Sequence, residues 1–494
     1  MIRGAEMGAI IAVINKKGEN AARTAVVMLK SLAQKNVEKF GVASLNNLVI
    51  KSSIDKLENE TINSSIIIGY AFSKILPQDK PQPLKLKTAT MVFEGRLYEP
   101  MPNGFDAEFV AKTLQKNPSG NAAKIIKEFE GDFAFVIAED KRIVAGRDPL
   151  GIRPLYYGQN SNFAALASQR KALWSIGIEK SYSFPPGHVA IVRDNGFHFR
   201  PVKTITYSKP RKVTMQSATL EIQKLLQKSI KQRLTGLKEV ALAFSGGLDS
   251  SIIAFLAKKI VPNVQLIHVS LSDQPEIEDA KKGAEALGLP LQVFLYDEDD
   301  VEMILPKILW LIEETSPIQA SIAIPVFWTA EKTETMGFKV LLAGQGADEL
   351  FGGYKKYVTS YQKHGREKVH KTIFNDVVKM HEINFERDFK ICSFHSVELR
   401  LPFATYEMAK FAAQLPPELK IELTHEGLRK VVLRNVAKNL GLPSFIIEKP
   451  KRAVQYATGV SKALEKIARR KGLSLKEFLH NMSKTVLEET TYHE

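Results

Sequence analysis

The chain of 494 residues is short of several things that would mark a specialised architecture. It has one cysteine, Cys392, which excludes a disulfide scaffold, a four-cysteine zinc site and an iron–sulfur cluster by count alone. A reducing cytoplasm is the simplest home for such a chain. There is no run of about eighteen apolar residues, so no transmembrane span and no membrane partner are expected. The first ten residues, MIRGAEMGAI, carry no long apolar stretch and no small-residue cleavage site, so no secretory signal is expected. No internal repeat and no low-complexity segment is found, which removes solenoids and disordered tracts.

What is present is ordinary for a soluble globular protein: 44% hydrophobic and 25% charged residues. The length is more than one core usually takes, so two domains are expected. The net charge of +15 invites a nucleic-acid reading. The basic residues are spread along the chain, however, in runs no longer than stretches such as Arg469-Arg470-Lys471. A positive approach for anionic small molecules accounts for the charge more simply, and nucleic acid is not the expected partner.

The two halves differ in rhythm. Up to about residue 200 the pattern is of short strands and turns, with helices expected at 21–34 and 107–114 and strands at 66–70, 91–93, 133–138 and 142–145. Asp140-Lys141 is a hairpin turn between the last two. A basic, proline-containing stretch at 203–212 interrupts the pattern, which sets domains at 1–205 and 212–494. Strand and helix then alternate: helix 218–233, strand 239–244, helix 251–260, strand 264–271, helix 277–287, strand 291–296 and strand 339–343. That alternation predicts an α/β domain with a parallel sheet. From about residue 354 the chain reads as mostly helical.

The strongest chemical signal is Ser245-Gly246-Gly247-Leu248-Asp249-Ser250-Ser251, between a buried strand and a helix. Two adjacent glycines let backbone amides approach an anion, the helix turns its positive end toward it, and three serines add hydroxyl donors. The loop suits a pyrophosphate group at the carboxyl end of a parallel strand. It is not a Walker loop, because the lysine is missing. It resembles instead the signature of N-type ATP pyrophosphatases, which implies ATP as substrate and Asp249 as a ligand of Mg2+. A hard cation on phosphates takes one or two carboxylates, and a second acid is available in the glycine-rich run Leu341-Leu-Ala-Gly-Gln-Gly-Ala-Asp-Glu-Leu-Phe-Gly-Gly-Tyr354, at Asp348 or Glu349.

These loops together resemble the asparagine synthetase family of the glutamine-hydrolysing type. Val397-Glu-Leu-Arg-Leu-Pro-Phe403, Leu415-Pro-Pro-Glu-Leu-Lys-Ile421 and Glu448-Lys-Pro-Lys-Arg-Ala-Val-Gln-Tyr456 extend the likeness. Gly131-Asp-Phe-Ala-Phe-Val-Ile137, Arg147-Asp-Pro-Leu-Gly-Ile-Arg-Pro-Leu-Tyr-Tyr157 and Phe184-Pro-Pro-Gly-His188 are similar to a class II glutamine amidotransferase domain. The resemblance implies an α+β amidotransferase sandwich (αββα) followed by an α/β parallel-sheet domain of the adenine-nucleotide α-hydrolase-like kind. It implies a ligase that adenylates a carboxylate, aspartate in the family, releasing pyrophosphate, and then amidates it. By resemblance, pyrophosphate falls to Ser245, Gly246, Gly247, Leu248, Asp249, Ser250 and Ser251, and adenine to the backbone of Ala243, Val269 and Gly344. Mg2+ falls to Asp249 and Asp348, and the lysine that meets transition-state charge is Lys451, with Lys449 as runner-up. Glu398 and Arg400 are candidate substrate contacts, an Arg–carboxylate grip or a structural pair. Asp106 aligns with the acid that holds the glutamine amine.

Departures from the family pattern fall in both halves. The amidotransferase nucleophile is an N-terminal cysteine, but the aligned segment is Met7-Gly8-Ala9-Ile10, with no side chain able to attack. The oxyanion pair Asn-Gly is Glu94-Gly95, and the glutamine-gripping arginine has no counterpart around Gly69-Tyr70-Ala71. An inactive glutaminase half and ammonia as nitrogen source follow as expectations. In the other half the usual Glu before Gly-Ala-Asp is Gln345, which hydrogen-bonds but is no base near neutral pH. A family arginine in the aspartyl segment is replaced by Gln319. Relatives of the β-lactam synthetases and RNA-modifying ATP pyrophosphatases are competing readings, as is a non-catalytic binding protein. A homodimer is among the assemblies open to such a chain.

Overall fold

The computed structural model describes residues 8–32, 37–60, 62–422 and 428–491. The chain divides into two compact units, Met1–Thr204 with Cys392–Glu398, and Ile205–Ile391 with Leu399–Glu494. Met7 lies outside the described residues, as do positions 33–34 of the helix expected at 21–34, which is described as Ala22–Leu32.

In the first unit two antiparallel sheets pack face to face. The seven-stranded sheet runs, edge to edge, Ser181–Ser183, Tyr156–Gln159, Phe163–Ala167, Ala9–Asn15, Ile66–Phe72, Lys39–Ala43, Leu48–Lys51. The six-stranded sheet runs Gly196–Pro201, His188–Arg193, Arg142–Arg147, Glu130–Glu139, Thr90–Glu99, Leu84–Lys85. Alternation with a period of two makes the layers. In the strand Ala9–Asn15, Ile10, Ala12 and Ile14 enter the core between the sheets, facing Val92, Ala134 and Val136. Ile11 and Val13 point the other way, onto Ala25, Met28 and Leu29 of the helix Ala22–Leu32. On the far side Phe93, Phe133 and Phe135 bury against Val110 and Leu114 of the helix Asp106–Leu114 and Ile125 of Pro118–Glu128. The larger of these side chains (Ile, Val, Leu, Met and Phe) each contribute about 1.5–3 kcal/mol when fully buried. The helix Pro118–Glu128 was not expected: its glycine, asparagine and proline mask an apolar face of Ala122, Ile125 and Ile126, and Asn117 caps it. The layers are αββα, as the resemblance implied.

The second unit is built on a five-stranded sheet in the order Leu291–Tyr296, Asn263–Leu271, Glu239–Ala243, Val340–Leu342, Glu398–Arg400; the unit boundary falls inside the last strand. The first four pair in parallel. Val240, Ala241 and Leu242 are fully buried, the continuous apolar run of a strand covered on both faces. The helix expected at 251–260 begins earlier, at Leu248, because Gly247 in an extended conformation caps it. The early start puts Asp249 in the first turn. Two helices fill the stretch before the fourth strand, Glu298–Ile312 behind an Asp297 capping box and Pro317–Thr335 behind Ser316. Beyond residue 354 the unit is mostly helical.

Candidate active site

Strand register sets the site. Ala243 pairs with Ile267 on one side, and Leu242 pairs with Leu342 on the other, so the chain leaves these strands at one end of the sheet. Ala243, Val269 and Gly344 therefore sit at the carboxyl ends of three adjacent strands, where parallel sheets take ligands. The first loop turns at Gly246, whose φ of +62° favours glycine and whose Cα faces the neighbouring helix so closely that a Cβ would come 2.5 Å from the Asp279 carbonyl. Ser250 Oγ donates to the Gly247 carbonyl at 3.2 Å, and Ser245 Oγ accepts from the Gly247 amide at 3.3 Å. Ser251 is fully buried, and its hydroxyl has no hydrogen-bond partner. Leu248 is buried beneath the loop.

The second loop follows Val340–Leu342 and starts the helix Ala347–Phe351 at Gly346, φ +89°. A Cβ on Gly344 would stand 3.1 Å from Cβ of Asp249, so this glycine lets the two loops close on each other. The two expected acids thus meet, but a residue absent from the sequence reading joins them. Lys430, itself 2% exposed, places Nζ 2.5 Å from Asp249 Oδ2 and 2.6 Å from Asp348 Oδ1. Lys451 Nζ lies 2.9 Å from Asp348 Oδ2, whereas Lys449 pairs with Asp279 at 3.1 Å. Gly353 is required here as well, since a Cβ would collide with Asp348 and Lys430.

Burial works to raise the Asp348 pKa, but Lys430 and then Lys451 outweigh it and hold the carboxyl well below the usual range. Burial likewise works against the charge on Lys451, and Asp348 with Asp249 overcomes it, so the ammonium is held more firmly than in water. Lys430 is a cation between two carboxylates, the place where a divalent ion on phosphates would find its protein ligands. Asp249 Oδ1 is buried with no hydrogen-bond partner, which leaves a hard oxygen donor free. Two carboxylates, one with an unused oxygen, fit a magnesium ion that takes most of its ligands from phosphate and water.

Gln345 donates its side-chain amide to Asp388. Asp388 is paired with Arg387 at 2.7 Å, and Arg387 donates to Gln319 at 2.6 Å. The other expected substrate contacts lie elsewhere. Arg400 donates to the Arg233 carbonyl. Glu398 is fully buried and pairs with Arg96 at 2.6 Å.

In the first unit the position aligned with a nucleophile is enclosed by charge. Arg153 binds Glu94 at 2.9 Å, and Glu94 accepts the Tyr70 hydroxyl. Burial raises the Glu94 pKa, with Arg153 opposing. Arg96 binds Asp79 through two nitrogens at 2.6 and 2.8 Å and reaches Asp106 at 3.3 Å. Asp106 also accepts the Leu97 amide at 2.8 Å. What remains is a small cavity of about 30 Å³ lined by Gly8, Tyr70, Glu94, Arg96 and Arg153 among others. A Cβ on Gly8 would collide with both the Tyr70 hydroxyl and the Glu94 carboxylate.

A parallel sheet whose strand ends carry a glycine–serine anion loop, two acids and two lysines is the frame of an enzyme that works on a nucleoside triphosphate. The comparisons with known proteins narrow that class. The asparagine synthase family model matches residues 221–367 and 356–483, more than half of the chain, and a glutamine amidotransferase domain model matches 96–175. The chain belongs to the asparagine synthase family, whose members are ATP-dependent ligases. A protein of Methanocaldococcus jannaschii, described as a candidate glutamine-hydrolysing asparagine synthetase, is 27% identical over 98% of this chain and 100% of its own length. Asparagine synthetase [glutamine-hydrolyzing] 2 of Arabidopsis thaliana is 27% identical, covering 78% of this chain and 70% of that protein. The Homo sapiens asparagine synthetase is 23% identical over 82% and 80%. Among the described residues no helix is long and apolar enough to cross a membrane.

Proposed function

We propose that the second unit adenylates the side-chain carboxylate of aspartate with ATP and amidates it with free ammonia, and that the first unit does not hydrolyse glutamine. The observation that carries the first half is the convergence of Asp249, Asp348, Lys430 and Lys451, drawn from four separate stretches of chain, beside the serine–glycine loop. In this reading Ser245 through Ser251 cradle the pyrophosphate, and Ala243, Val269 and Gly344 meet adenine through their backbone. Asp249 and Asp348 would hold magnesium, which when bound neutralises charge on the phosphates. The substrate carboxylate attacks the α-phosphorus and pyrophosphate leaves. Lys451, kept charged by its acids, would meet the charge that builds on the α-phosphoryl oxygens. Ammonia then attacks the acyl carbon, AMP leaves with the bonding pair, and the nitrogen sheds a proton. Gln345 cannot take that proton but can orient the nucleophile. Arg400, Glu398 and Asp106, engaged in interactions within the protein, are assigned structural roles.

Support for the second half is the enclosure of Gly8. Gly8 has no side chain that could attack, a carboxylate stands where an oxyanion would form, and the acid that would hold the amine is already paired. The protein incubated with ATP, magnesium, aspartate and ammonium should give pyrophosphate, AMP and asparagine in equal amounts. With glutamine in place of ammonium, no glutamate should form. Glutamate appearing at an ordinary enzyme rate of ~1–10³ per second would overturn the nitrogen-source reading. Pyrophosphate release with a carboxylate other than aspartate would move the acceptor while leaving adenylation in place.

A further inference from the structure

The strap that carries Lys451 has no helix or strand of its own. Residues 448–453 lie between the helices Ser444–Ile447 and Val454–Ala457, and Pro450 denies them one backbone donor. Two arginines hold the strap from outside. Arg434, 6% exposed, donates to the carbonyls of Ile447 and, at 3.0 Å, of Lys449, while its Nε donates to the Arg429 carbonyl at 2.8 Å. Arg429 reaches further along: Nη2 donates to the Lys451 carbonyl at 2.7 Å and Nη1 to the Gly353 carbonyl at 2.9 Å. Gly353 belongs to the second acid loop, and its amide donates to the Asp348 carbonyl at 2.7 Å. Lys451 Nζ lies 2.9 Å from Asp348 Oδ2, so the contacts close a ring through Arg429, Gly353, Asp348 and Lys451. The root of Arg429 is fixed as well. Its backbone bridges to Ile421, and a Cβ on Gly352 of the acid loop would come 2.9 Å from Ile421 Cγ2. Among the described residues Arg429 forms no ion pair, so its fork is spent on the geometry of two neutral carbonyls. Lys430, the next residue, turns to the acids, so two neighbours grip the backbone and the side chains of one site.

We propose that Arg429 is a positioning residue for the adenylation step: by forking between the Lys451 and Gly353 carbonyls it clips the lysine's strap to the acid loop. This rests on the role given to Lys451 above and deepens it by naming what holds that lysine in place. A long side chain on an irregular strap would otherwise sample many positions, each with its own entropy to lose. Lys451 must instead stand within reach of charge that exists only in the transition state. A misplacement of about 1 Å costs about 100-fold in such a step. Arginine suits the task because its planar fork serves two acceptors at a fixed separation, where a lysine offers a single point. Arg434 supports the near end of the strap and Arg429 the end where Lys451 stands. Arg429 touches no reacting atom and acts through the strap alone.

The test is a set of variants of the full-length protein assayed for pyrophosphate release with ATP, magnesium, aspartate and ammonium. Arg429→Gln should lower kcat about 10–100-fold, with the KM for ATP changed by less than about threefold. In the Lys451→Ala background the same substitution should lower kcat no further, because the side chain it positions is gone. Factors that multiply in the double variant overturn the proposal, as does Arg429→Gln at full rate. Trypsin reads the strap without any activity: cleavage after Lys451 and Arg452 should be several-fold faster in Arg429→Gln, with sites elsewhere cut as before. Unchanged cleavage at the strap overturns the clip. Faster cleavage at every site overturns it too, because a merely structural role would loosen the whole unit. If Arg429→Gln does not fold, Arg429→Lys, which keeps the stem and the charge, should show the same pattern in weaker form. The adenylation reading fails separately. Lys451→Ala at full kcat sinks that reading of the lysine and the clip with it, whereas Lys451→Ala slow and Arg429→Gln at full rate sinks the clip alone.

Discussion

Two buried charge networks, one in each unit, look alike in composition and differ in what they leave unsaid. In the first unit Arg96 is matched by Asp79, Asp106 and Glu398, Arg153 by Glu94, and Glu94 by Tyr70. None of these side chains has a buried polar atom without a hydrogen bond. In the second unit Asp249, Asp348, Lys430 and Lys451 pair with one another, yet Asp249 Oδ1, the neighbouring Ser251 hydroxyl and Arg387 Nη2 are buried and unmatched. A network closed on itself rigidifies a core, while buried donors and acceptors left over each need an explanation, of which a bound ligand is one. The same residue types thus mark a site sealed by its own side chains and a site kept open.

The largest effect that would break this comparison is expected from Asp249→Asn and Asp348→Asn. Each removes a negative charge proposed to hold magnesium, and leaves Lys430 with one acid instead of two. Pyrophosphate release should fall by about a thousandfold or more, several kcal/mol of transition-state stabilisation, with the circular dichroism spectrum kept and the unfolding temperature lowered, because a buried lysine loses a partner. Turnover near normal in both variants would remove the nucleotide site from this loop. The counterpart in the first unit is Glu94→Gln, which should leave ammonium-dependent pyrophosphate release intact.

Lys451→Ala should rank next. The lysine is proposed to meet charge that exists only in the transition state, so kcat should drop about 100- to 1,000-fold with the KM for ATP nearly constant. A collapse of ATP affinity instead would make Lys451 a contact to the bound phosphates.

How much of this was legible in the sequence follows from where the chemistry sits along the chain. The anion loop and the second acid were readable because each is contiguous and bounded by an apolar strand and a helix. The αββα layers were not readable strand by strand: most strands of the first unit are short, and only the family likeness supplied the whole. Lys430 was invisible. It lies 181 residues from Asp249, in no recognisable pattern, and reaches the acids from a left-handed backbone conformation (φ +60°) that sequence gives no reason to expect of a lysine. Arg387 and Asp388 read as two charges in a helical stretch, and the significance of Gln319 and Gln345 changed once the fold set those amides against them. The sequence showed an arginine and a glutamate missing. It could not show that a guanidinium and a carboxylate stand beside the replacements.

A smaller effect would sharpen the reading of the closed network. Gly8→Cys restores the missing thiol in name, but its Cβ has no room between Tyr70 and Glu94. Overpacking of this kind costs about 1–3 kcal/mol, so the variant should unfold at a lower temperature and still form no glutamate from glutamine. Glutaminase activity gained from this single change would show that the pocket opens readily and that its ion pairs are not a seal.

A last effect, on stability alone, concerns a charge that belongs to neither network. Lys420 is 1% exposed, its Nζ has no partner, and burial alone pulls its pKa from 10.5 down to about 7. It shows that an orphaned buried atom need not signal a ligand: a lysine can escape the cost by giving up its proton, which an arginine such as Arg387 cannot do. The sign follows from proton counting. Between about pH 7 and 10.5 the unfolded chain holds a proton that the native protein has lost, so this residue makes stability rise with pH across that window. Below pH 7 both states are protonated and the full penalty of the buried charge is felt; above 10.5 there is none. Lys420→Met keeps the length of the side chain and removes the proton, so it should stabilise the protein by on the order of a few kcal/mol at pH 6.5. The gain in unfolding temperature should shrink steadily as the pH is raised toward 10. A gain that stays constant with pH would mean that packing, and not the buried ammonium, is what the substitution changed. A loss of stability at every pH would mean that Lys420 has a charged partner in solution, and would place it with the satisfied residues of the closed network.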